Sequence, residues 1–347
     1  MNKQCFMKRL ALLVFSFLII FPLAGSAATD PLSDIYQSRS DLKAIFDSKT
    51  GLAISSKAGF LVDLNDWAEQ YGWQEHPAEL SAYAPTSLPP KAGETTAPTL
   101  TARDYIVIDE TSGQILAAQG ADEVWPIASL TKLMTSQVAL IRGVDLEATA
   151  AVKTIDDVGG AKLYVSDGTT FSLGDLLSAT LIGSANNAAN AIARTVGSDF
   201  IDLMNEKARA MHLNKTRFVD ASGIDPQNVS TAREVALLAE EAFTFDAIRK
   251  NTTTISKNIL AVTTGAWHKM KTTNWMLYYP EYDDVYVTSG KTGYLDESGW
   301  NLVERLRPGA TESQKELLIV IFGAASRADS FRDAEALAQW VWETFEY

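Results

Sequence analysis

The sequence predicts an α+β protein in which an antiparallel sheet is flanked by helices and carries an inserted helical subdomain. Strand patterns lie at residues 104–118 and return at residues 285–322, whereas residues 173–245 between them have helical spacing. A last helical pattern covers residues 327–345. This order of strands, helices and strands is typical of the α+β class, in which helices segregate from the sheet.

Each predicted strand is an apolar or alternating run bounded by turn residues. Asp104–Asp109 predicts the first strand, residues 110–113 predict its turn, and Gln114–Ala118 predicts a second strand beside the first. The strands that follow the insertion are predicted at residues 285–288, 300–303 and 317–322.

The predicted helices have recognisable starts. Pro126 is expected to open a helix that runs through Met134, because the fixed φ of proline suits a first helical turn. Ser198 is the predicted N-cap of a helix within the insertion. Thr231 and Glu234 have the spacing of a capping box, which predicts a further helix start.

The first 27 residues have the pattern of a secretory signal peptide. Basic residues precede an apolar run at residues 10–23, and small residues follow at residues 24–28. The alternative is a retained membrane anchor, but the apolar run is shorter than the ~20 residues that a spanning helix needs. Ser26 stands where a lipoprotein signal would need cysteine. We therefore expect cleavage and no stable membrane anchor.

Composition divides the remainder of the chain. Residues 28–75 form an N-terminal extension of unknown role, in which no catalytic pattern occurs. Residues 76–100 are rich in proline, alanine and threonine, which is typical of a linker. The main domain is predicted at residues 101–347.

Charge and cysteine content exclude several classes of protein. The chain has 43 acidic and 30 basic residues, a net charge of −13, which argues against nucleic-acid binding and against docking on anionic lipid. The one cysteine, Cys5, lies in the signal peptide, so the mature protein is expected to have no disulfide and no thiolate metal site. A cysteine-free chain suits the periplasm or the cell exterior.

Common catalytic motifs are missing from the sequence. The histidines are not paired as His-Glu-x-x-His, and no Gly-x-Ser-x-Gly elbow occurs. Lys291 and Thr292 resemble the end of a phosphate-binding loop, but Val285 stands where that loop needs glycine. We therefore expect neither a metal nor a cofactor.

A serine and a lysine remain as candidate catalytic residues. Ser129 and Lys132 are three positions apart and would share one face of a helix. A serine nucleophile needs an adjacent base, and a lysine serves when burial and a second cation, such as Lys291, lower its pKa. The same spacing recurs at Ser40 and Lys43, so the order of the motifs along the chain must decide which serine–lysine pair is the catalytic one.

Three motifs in order carry a family resemblance. They are Trp125–Thr135, Gly183–Ala189 and Gly290–Tyr294, with further matching stretches at residues 203–208, 216–220 and 229–234. This set resembles the low-molecular-mass penicillin-binding proteins, and most closely the D-alanyl-D-alanine carboxypeptidase and endopeptidase family (serine peptidase S11-like). The resemblance implies a β-lactamase/transpeptidase-like fold over residues 101–347.

The resemblance also implies roles in catalysis for four residues. Ser129 would be the acylated nucleophile and Lys132 its general base. Ser184 would relay a proton to the leaving amine, and Asn186 would position Lys132 and the substrate peptide.

The last motif is implied to bind substrate. Lys291 would steady Ser184 and attract the substrate carboxylate, with the Thr292 hydroxyl near that carboxylate. Gly293 would leave room for a peptide to add along the strand. The backbone N–H groups of Ser129 and Tyr294 would form the oxyanion hole.

The expected partners are peptidoglycan stem peptides, with β-lactams as covalent inhibitors, in the bacterial envelope. One alternative is a serine β-lactamase, but the Glu-x-x-Leu-Asn stretch of class A enzymes is missing after Ser184. Another is an idle peptidoglycan-binding scaffold, which the intact motifs disfavour. The 54 residues after Gly293 and the stretch Asn228–Ala232 favour endopeptidase over carboxypeptidase activity without deciding between them.

Overall fold

The computed structural model describes residues 95–309 and 315–345. The predicted signal peptide, the extension at 28–75 and the linker up to residue 94 lie outside the described residues, as do the serine–lysine pair near residue 40 and the last two residues. Residues 95–100 have no regular secondary structure, and the Thr95 hydroxyl is hydrogen-bonded to that of Thr344.

The described residues form strands and α-helices over the ranges that follow. The strands are β1 (Asp104–Asp109), β2 (Ile115–Gln119), β3 (Trp125–Pro126), β4 (Thr149–Val152), β5 (Thr169–Ser172), β6 (Val229–Ser230), β7 (Ser256–Ala261), β8 (Ala266–Lys271), β9 (Val285–Leu295), β10 (Gly299–Pro308) and β11 (Leu317–Ala324). The α-helices are α1 (Thr131–Ile141), α2 (Leu173–Leu181), α3 (Asn186–Val196), α4 (Phe200–Ala210), α5 (Ala232–Ala242), α6 (Asp246–Thr252) and α7 (Arg327–Thr344).

Five strands form an antiparallel sheet in the order β2-β1-β11-β10-β9. The first two strands and the last three therefore share one sheet, while the helices α1 to α6 lie between them in sequence. This arrangement confirms the predicted α+β class with a helical insertion. In this sheet β9 is an edge strand, so one side of its backbone is open to another strand.

The two faces of the sheet bury separate apolar cores, because successive residues of a strand point to opposite faces. Ile106, Val303 and Val320 belong to the core beneath the inserted helices. The alternate residues, such as Leu302 and Ile319, belong to the core covered by α7.

Helix α7 is part of the protein core. Phe331, Leu337 and Val341 are buried against the sheet. The buried carboxylate of Asp333 accepts the backbone N–H of Ala102 at 2.8 Å, which ties this helix to the start of β1. Among the described residues, no helix combines the length and apolarity that crossing a membrane requires.

The expected helix start at Pro126 is wrong. Pro126 lies in β3 and pairs with β6, and the backbone N–H of Ile127 donates to Asn228 O at 2.9 Å. Helical geometry begins only with the 3-10 turn Ala128–Leu130, ahead of α1. Pairing with a distant strand therefore overrides the local preference of the proline.

Other predictions differ in their bounds or are missing: β9 and β10 run past the predicted ends at residues 288 and 303, and none of the three two-stranded sheets among the described residues was predicted. Thr231 caps α5 by accepting the N–H of Glu234 at 3.1 Å, as its spacing predicts. The N-cap of α4 is Asp199 and not Ser198. The sequence analysis identified no strand at β7 or β8, which form a hairpin between the insertion and β9.

Candidate active site

Ser129 lies in a tight turn where the chain leaves β3 and enters α1. Ala128 has a φ of 49°, a conformation that costs free energy in a residue with a side chain. Two glycines allow the turn to pack closely: a Cβ at Gly223 would lie 2.0 Å from Ala128 O, and one at Gly293 would lie 3.2 Å from Ser129 N. The turn is therefore held by two other segments, which fixes the position of Ser129.

Lys132 follows Ser129 by one helical turn and is fully buried. Its Nζ lies 2.8 Å from Ser129 Oγ, 2.8 Å from Asn186 Oδ1 and 2.5 Å from Ser222 O. Burial, and then the charge of Lys291, hold the pKa of Lys132 well below its ordinary value, although Asp220 opposes them.

The three contacts of Lys132 suit an uncharged amine. A neutral amine has two N–H donors and one lone pair. The carbonyl oxygens of Asn186 and Ser222 accept the two N–H groups, which directs the lone pair to Ser129 Oγ. The hydroxyl of Ser129 then donates to Lys132 Nζ, so the arrangement can remove the hydroxyl proton.

Ser184 lies in the connection between α2 and α3, and Asn186 lies at the start of α3. Ser184 has a φ of 57° and is 5 % exposed. Asn186 is the first residue of α3, and its Nδ2 donates to Gly159 O at 2.8 Å while its Oδ1 accepts from Lys132. Asn186 therefore fixes the lysine amine relative to α3.

Lys291 on β9 joins the sheet to the inserted helices. Its Nζ donates to Ser184 Oγ at 2.9 Å and to Thr292 O at 2.7 Å, and the side chain is buried. Burial and the nearby Arg327 lower the pKa of Lys291 to about 7, whereas Glu304 acts in the opposite direction. Lys291 is thus a buried amine whose charge changes near neutral pH.

The remaining predicted residues follow Lys291 along β9. The Thr292 hydroxyl lies 2.6 Å from that of Thr273, so it is fixed at the strand edge. A Cβ at Gly293 would lie 3.0 Å from Ile127 O, which shows that this glycine also permits the strand to pack on the serine turn. Tyr294 is 45 % exposed and packs on Trp300, with ring centroids 4.3 Å apart.

The structure brings all of the predicted site residues to the junction of α1, α3 and β9. Ser129 and Lys132 come from α1 and the turn before it, and Ser184 and Asn186 from the start of α3. Lys291 reaches Ser184 from β9, which places the three sequence motifs in one cleft.

Sequence reasoning missed two residues that support Lys132. The carbonyl of Ser222 accepts from its amine, and Asp220 holds that carbonyl in place. The Asp220 carboxylate accepts the N–H groups of Ser222 and Gly223, each at 2.6 Å. The signal in the sequence was Asp220 followed by Gly223, which has a φ of 80°.

Arg327 is a further residue near the site that the sequence analysis did not identify. Its guanidinium donates to Thr273 O at 2.5 Å and lies 4.8 Å from the Trp275 ring, on the same side of β9 as Thr292 and its partner Thr273. Arg332 is paired with Asp329 at 3.4 Å, five residues along the same helix.

Comparison with known proteins places this chain in a family. Residues 91–326 match the family described as D-alanyl-D-alanine carboxypeptidase, peptidase S11. A D-alanyl-D-alanine endopeptidase of Pseudomonas aeruginosa is 29 % identical over 260 residues, which cover 74 % of this chain and 82 % of that protein. The D-alanyl-D-alanine carboxypeptidase DacC of Escherichia coli is 31 % identical over 301 residues, 78 % of this chain and 68 % of that protein.

A solved structure has the same fold. Penicillin-binding protein D2 of Listeria monocytogenes, in its cefotaxime-bound form, superposes with a TM-score of 0.61 and 28 % identity over 72 % of this chain and all of that one. The likeness confirms the expected α+β fold of the penicillin-binding proteins.

Proposed function

The chain belongs to the D-alanyl-D-alanine carboxypeptidase family of serine D,D-peptidases, and from this premise we propose that it hydrolyses D-Ala-D-Ala peptides of peptidoglycan through an acyl-enzyme on Ser129. One observation carries the proposal. Lys132 Nζ lies 2.8 Å from Ser129 Oγ, and its two N–H groups have other acceptors. A serine activated in this way is a nucleophile and needs no metal ion.

In the first step, Ser129 Oγ attacks the carbonyl carbon of the penultimate D-Ala. The new Oγ–C bond forms as Lys132 Nζ takes the hydroxyl proton. The backbone N–H groups of Ser129 and Tyr294 bind the oxyanion that develops, a role supported by the close packing of β9 on the serine turn.

In the second step, the C–N bond breaks and the leaving amine takes a proton. Lys291 donates to Ser184 Oγ, so the hydroxyl hydrogen of Ser184 is left to point at the leaving nitrogen. Ser184 gives up this proton and regains one from Lys132, which restores the amine as a base. Asn186 holds Lys132 in place during both transfers.

The substrate lies along β9, because this strand is at the edge of the sheet. Its terminal carboxylate is attracted by Lys291 and Arg327 and accepts a hydrogen bond from the Thr292 hydroxyl. Water then attacks the acyl-enzyme, with Lys132 again as the base, and releases the shortened peptide.

A D,D-endopeptidase is the second candidate, and the stretch Asn228–Ala232 favours it. This stretch contains β6, which pairs with β3 directly before Ser129. The chemistry is unchanged: the attacked D-Ala carbonyl is the same, and the leaving amine belongs to a cross-linked side chain. Since the substrate is the cell wall, we place the enzyme in the envelope or periplasm.

The proposal is tested with two measurements on the purified protein. Benzylpenicillin should add one acyl group on Ser129, seen by mass spectrometry, with slow release. Ser129→Ala should abolish both this adduct and peptide hydrolysis. Rapid steady-state turnover of benzylpenicillin would instead indicate a β-lactamase, and an adduct without any peptide cleavage would indicate a scaffold.

Purified muropeptides separate the two candidate substrates. Loss of cross-linked dimers is the result expected of an endopeptidase, whereas conversion of pentapeptides to tetrapeptides alone would assign the enzyme as a carboxypeptidase.

A further inference from the structure

The hairpin β7–β8 has an outer face that is exposed in the described part of the chain. Residues directly opposite each other in two antiparallel strands lie on the same face of the pair. The pairs on the outer face are Leu260 with Trp267, Asn258 with Lys269, and Ser256 with Lys271. All of these side chains except the half-buried Leu260 are exposed, and Trp267 is 67 % exposed. The six residues form one solvent-facing surface, called here the hairpin platform.

The inner face of the same hairpin packs on the body of the protein. Ile259 is fully buried in the core beneath the inserted helices, and the His268 ring meets Phe171 edge-on, with centroids 5.6 Å apart. Lys257 also lies on the inner face, where its Nζ is paired with the Asp175 carboxylate at 3.0 Å. The hairpin is therefore anchored from one side, which leaves the platform accessible to a partner.

The platform is positively charged in a protein whose net charge is −13. Residues 247–280 contain no aspartate or glutamate, although the whole chain has 43 acidic residues. Lys269 and Lys271 are exposed and, within the described ranges, are paired with no carboxylate, in contrast to Lys257 on the inner face. Two ammonium groups beside an exposed tryptophan attract an anionic partner and offer it apolar contact area.

The platform begins beside the catalytic cleft. Lys271 is the last residue of β8, and its Nζ lies 4.3 Å from the centroid of the Tyr278 ring. Two residues later, the Thr273 hydroxyl is 2.6 Å from that of Thr292, where the substrate carboxylate is proposed to bind. From Lys271 to Trp267 the platform extends about 13 Å, because a strand rises ~3.3 Å per residue. A polymer held in the cleft can therefore continue along the platform.

We propose that the hairpin platform binds uncleaved peptidoglycan next to the peptide that occupies the cleft. The inference rests on the proposed function and adds a second contact with the same substrate. Lys269 and Lys271 bind carboxylates of neighbouring stem peptides, each of which ends in a carboxylate before cleavage, and Trp267 packs on apolar parts of the polymer. An extended dipeptide spans only about 7 Å, so this contact favours the polymer over an isolated peptide.

Sedimentation with purified sacculi tests the platform without catalysis. All variants are made in the Ser129→Ala protein, which leaves the wall intact, and the bound fraction is measured at low and at high salt. Lys269→Gln together with Lys271→Gln should raise the Kd about fivefold at low salt, the contribution of two exposed ion pairs, and by less at high salt. Trp267→Ala should raise it about tenfold at both salt concentrations. A Kd that is unchanged when all three substitutions are combined would overturn the proposal.

Three controls separate the platform from a general effect of charge. Lys153→Gln together with Arg209→Gln removes two exposed cations elsewhere and should leave the Kd unchanged; an equal rise would refute a specific effect of the hairpin. Conversion of the sacculus carboxyls to amides should weaken binding and abolish the difference made by the two hairpin lysines. Equally tight binding to vesicles of anionic phospholipid, with the same loss in the lysine variant, would assign the platform to a membrane instead.

Kinetics separates this inference from the proposed function. In the active protein, the rate on intact sacculi relative to the rate on a short D-Ala-D-Ala peptide should fall when Lys269 and Lys271 are replaced, and an unchanged ratio would contradict the platform. Wild-type protein without activity on the short peptide would contradict the proposed function alone, since sedimentation needs no catalysis. If Trp267→Ala lowers the thermal midpoint, the lysine variant decides, because both of its changed side chains are exposed.

Discussion

Lys291 lowers the pKa of Lys132, although the two residues belong to different parts of the fold. Both amines are buried in one cleft, and each is within 3 Å of a different serine hydroxyl. Two buried ammonium groups at such a place repel each other, so one of them gives up its proton. The contacts assign the neutral state to Lys132, beside Ser129, and the charged state to Lys291, beside Ser184.

The opposite protonation states of Lys132 and Lys291 predict a bell-shaped dependence of kcat/KM on pH. As pH falls through the lowered pKa of Lys132, the base becomes protonated and the rate declines. As pH rises through the pKa of Lys291, about 7, its ammonium is lost and the rate also declines. The measurement is hydrolysis of a D-Ala-D-Ala peptide by wild type and Lys291→Arg.

In Lys291→Arg the alkaline limb should disappear, because arginine stays charged throughout the accessible pH range. The absolute rate will be lower, since the planar guanidinium does not match the geometry of an ammonium. If the variant retains the wild-type limb at the same pH, Lys291 is not the group that titrates.

Arg327→Met should raise KM and move the alkaline limb to higher pH. The first effect follows from the loss of a cation near the substrate carboxylate, which is worth about tenfold or more for a charged hydrogen bond. The second follows because Arg327 lowers the pKa of Lys291. Both effects are measured from kcat and KM across pH.

The matched control is Arg332→Met, on the same helix but exposed and paired with Asp329. Arg332→Met should leave KM and the pH of the alkaline limb unchanged. A substrate that ends in an amide instead of a carboxylate should show no rise in KM for Arg327→Met; an equal rise with both substrates would refute a carboxylate contact.

Gly293→Ala should slow acylation by benzylpenicillin at least tenfold with little loss of substrate affinity. The new Cβ would lie 3.0 Å from Ile127 O and 3.2 Å from Ser129 N, so β9 and the serine turn must separate. Such a displacement at the attacking serine is costly for a reaction that depends on orientation. Acylation rates are followed by mass spectrometry over time.

Gly265→Ala is the control for the effect of an added methyl group. Gly265 has a φ of 69° in the β7–β8 hairpin, with no atom within 4 Å of a built Cβ. Its replacement should lower the thermal midpoint slightly and leave acylation unchanged. Equal slowing in both variants would show that Gly293 matters only for folding.

The sequence predicted those parts of the molecule that depend on local pattern. The strand Asp104–Asp109 has the predicted bounds, and Thr231 caps its helix, because alternation and capping act within a few residues. The hairpin β7–β8 has polar residues such as Asn258 and Lys269 in its strands, so its alternation is weak. Pro126 was assigned wrongly since a distant strand decides its conformation.

For the site, the sequence identified the side chains and not what surrounds them. The bond between Lys291 and Ser184 joins residues 107 positions apart, and only the family resemblance indicated it. Glu304 appears in the sequence as the one acid of the strand Gly299–Pro308, which also contains Arg305 and Arg307. Its position opposite Gly290 depends on the register of β9 and β10, which no local pattern specifies.

The order of the strands in the sheet determines when a newly made chain becomes active. β1 and β2 are synthesised before the serine turn, but β9, β10 and β11 follow the inserted helices in the chain, and β11 must pair with β1 over a long sequence separation before the sheet is complete. Until then, Ser129 and Lys132 have no neighbouring Lys291, and the groove for the peptide does not exist. In a nascent or truncated chain Ser129 is therefore not yet part of a complete site, and peptidase activity begins only once folding is finished.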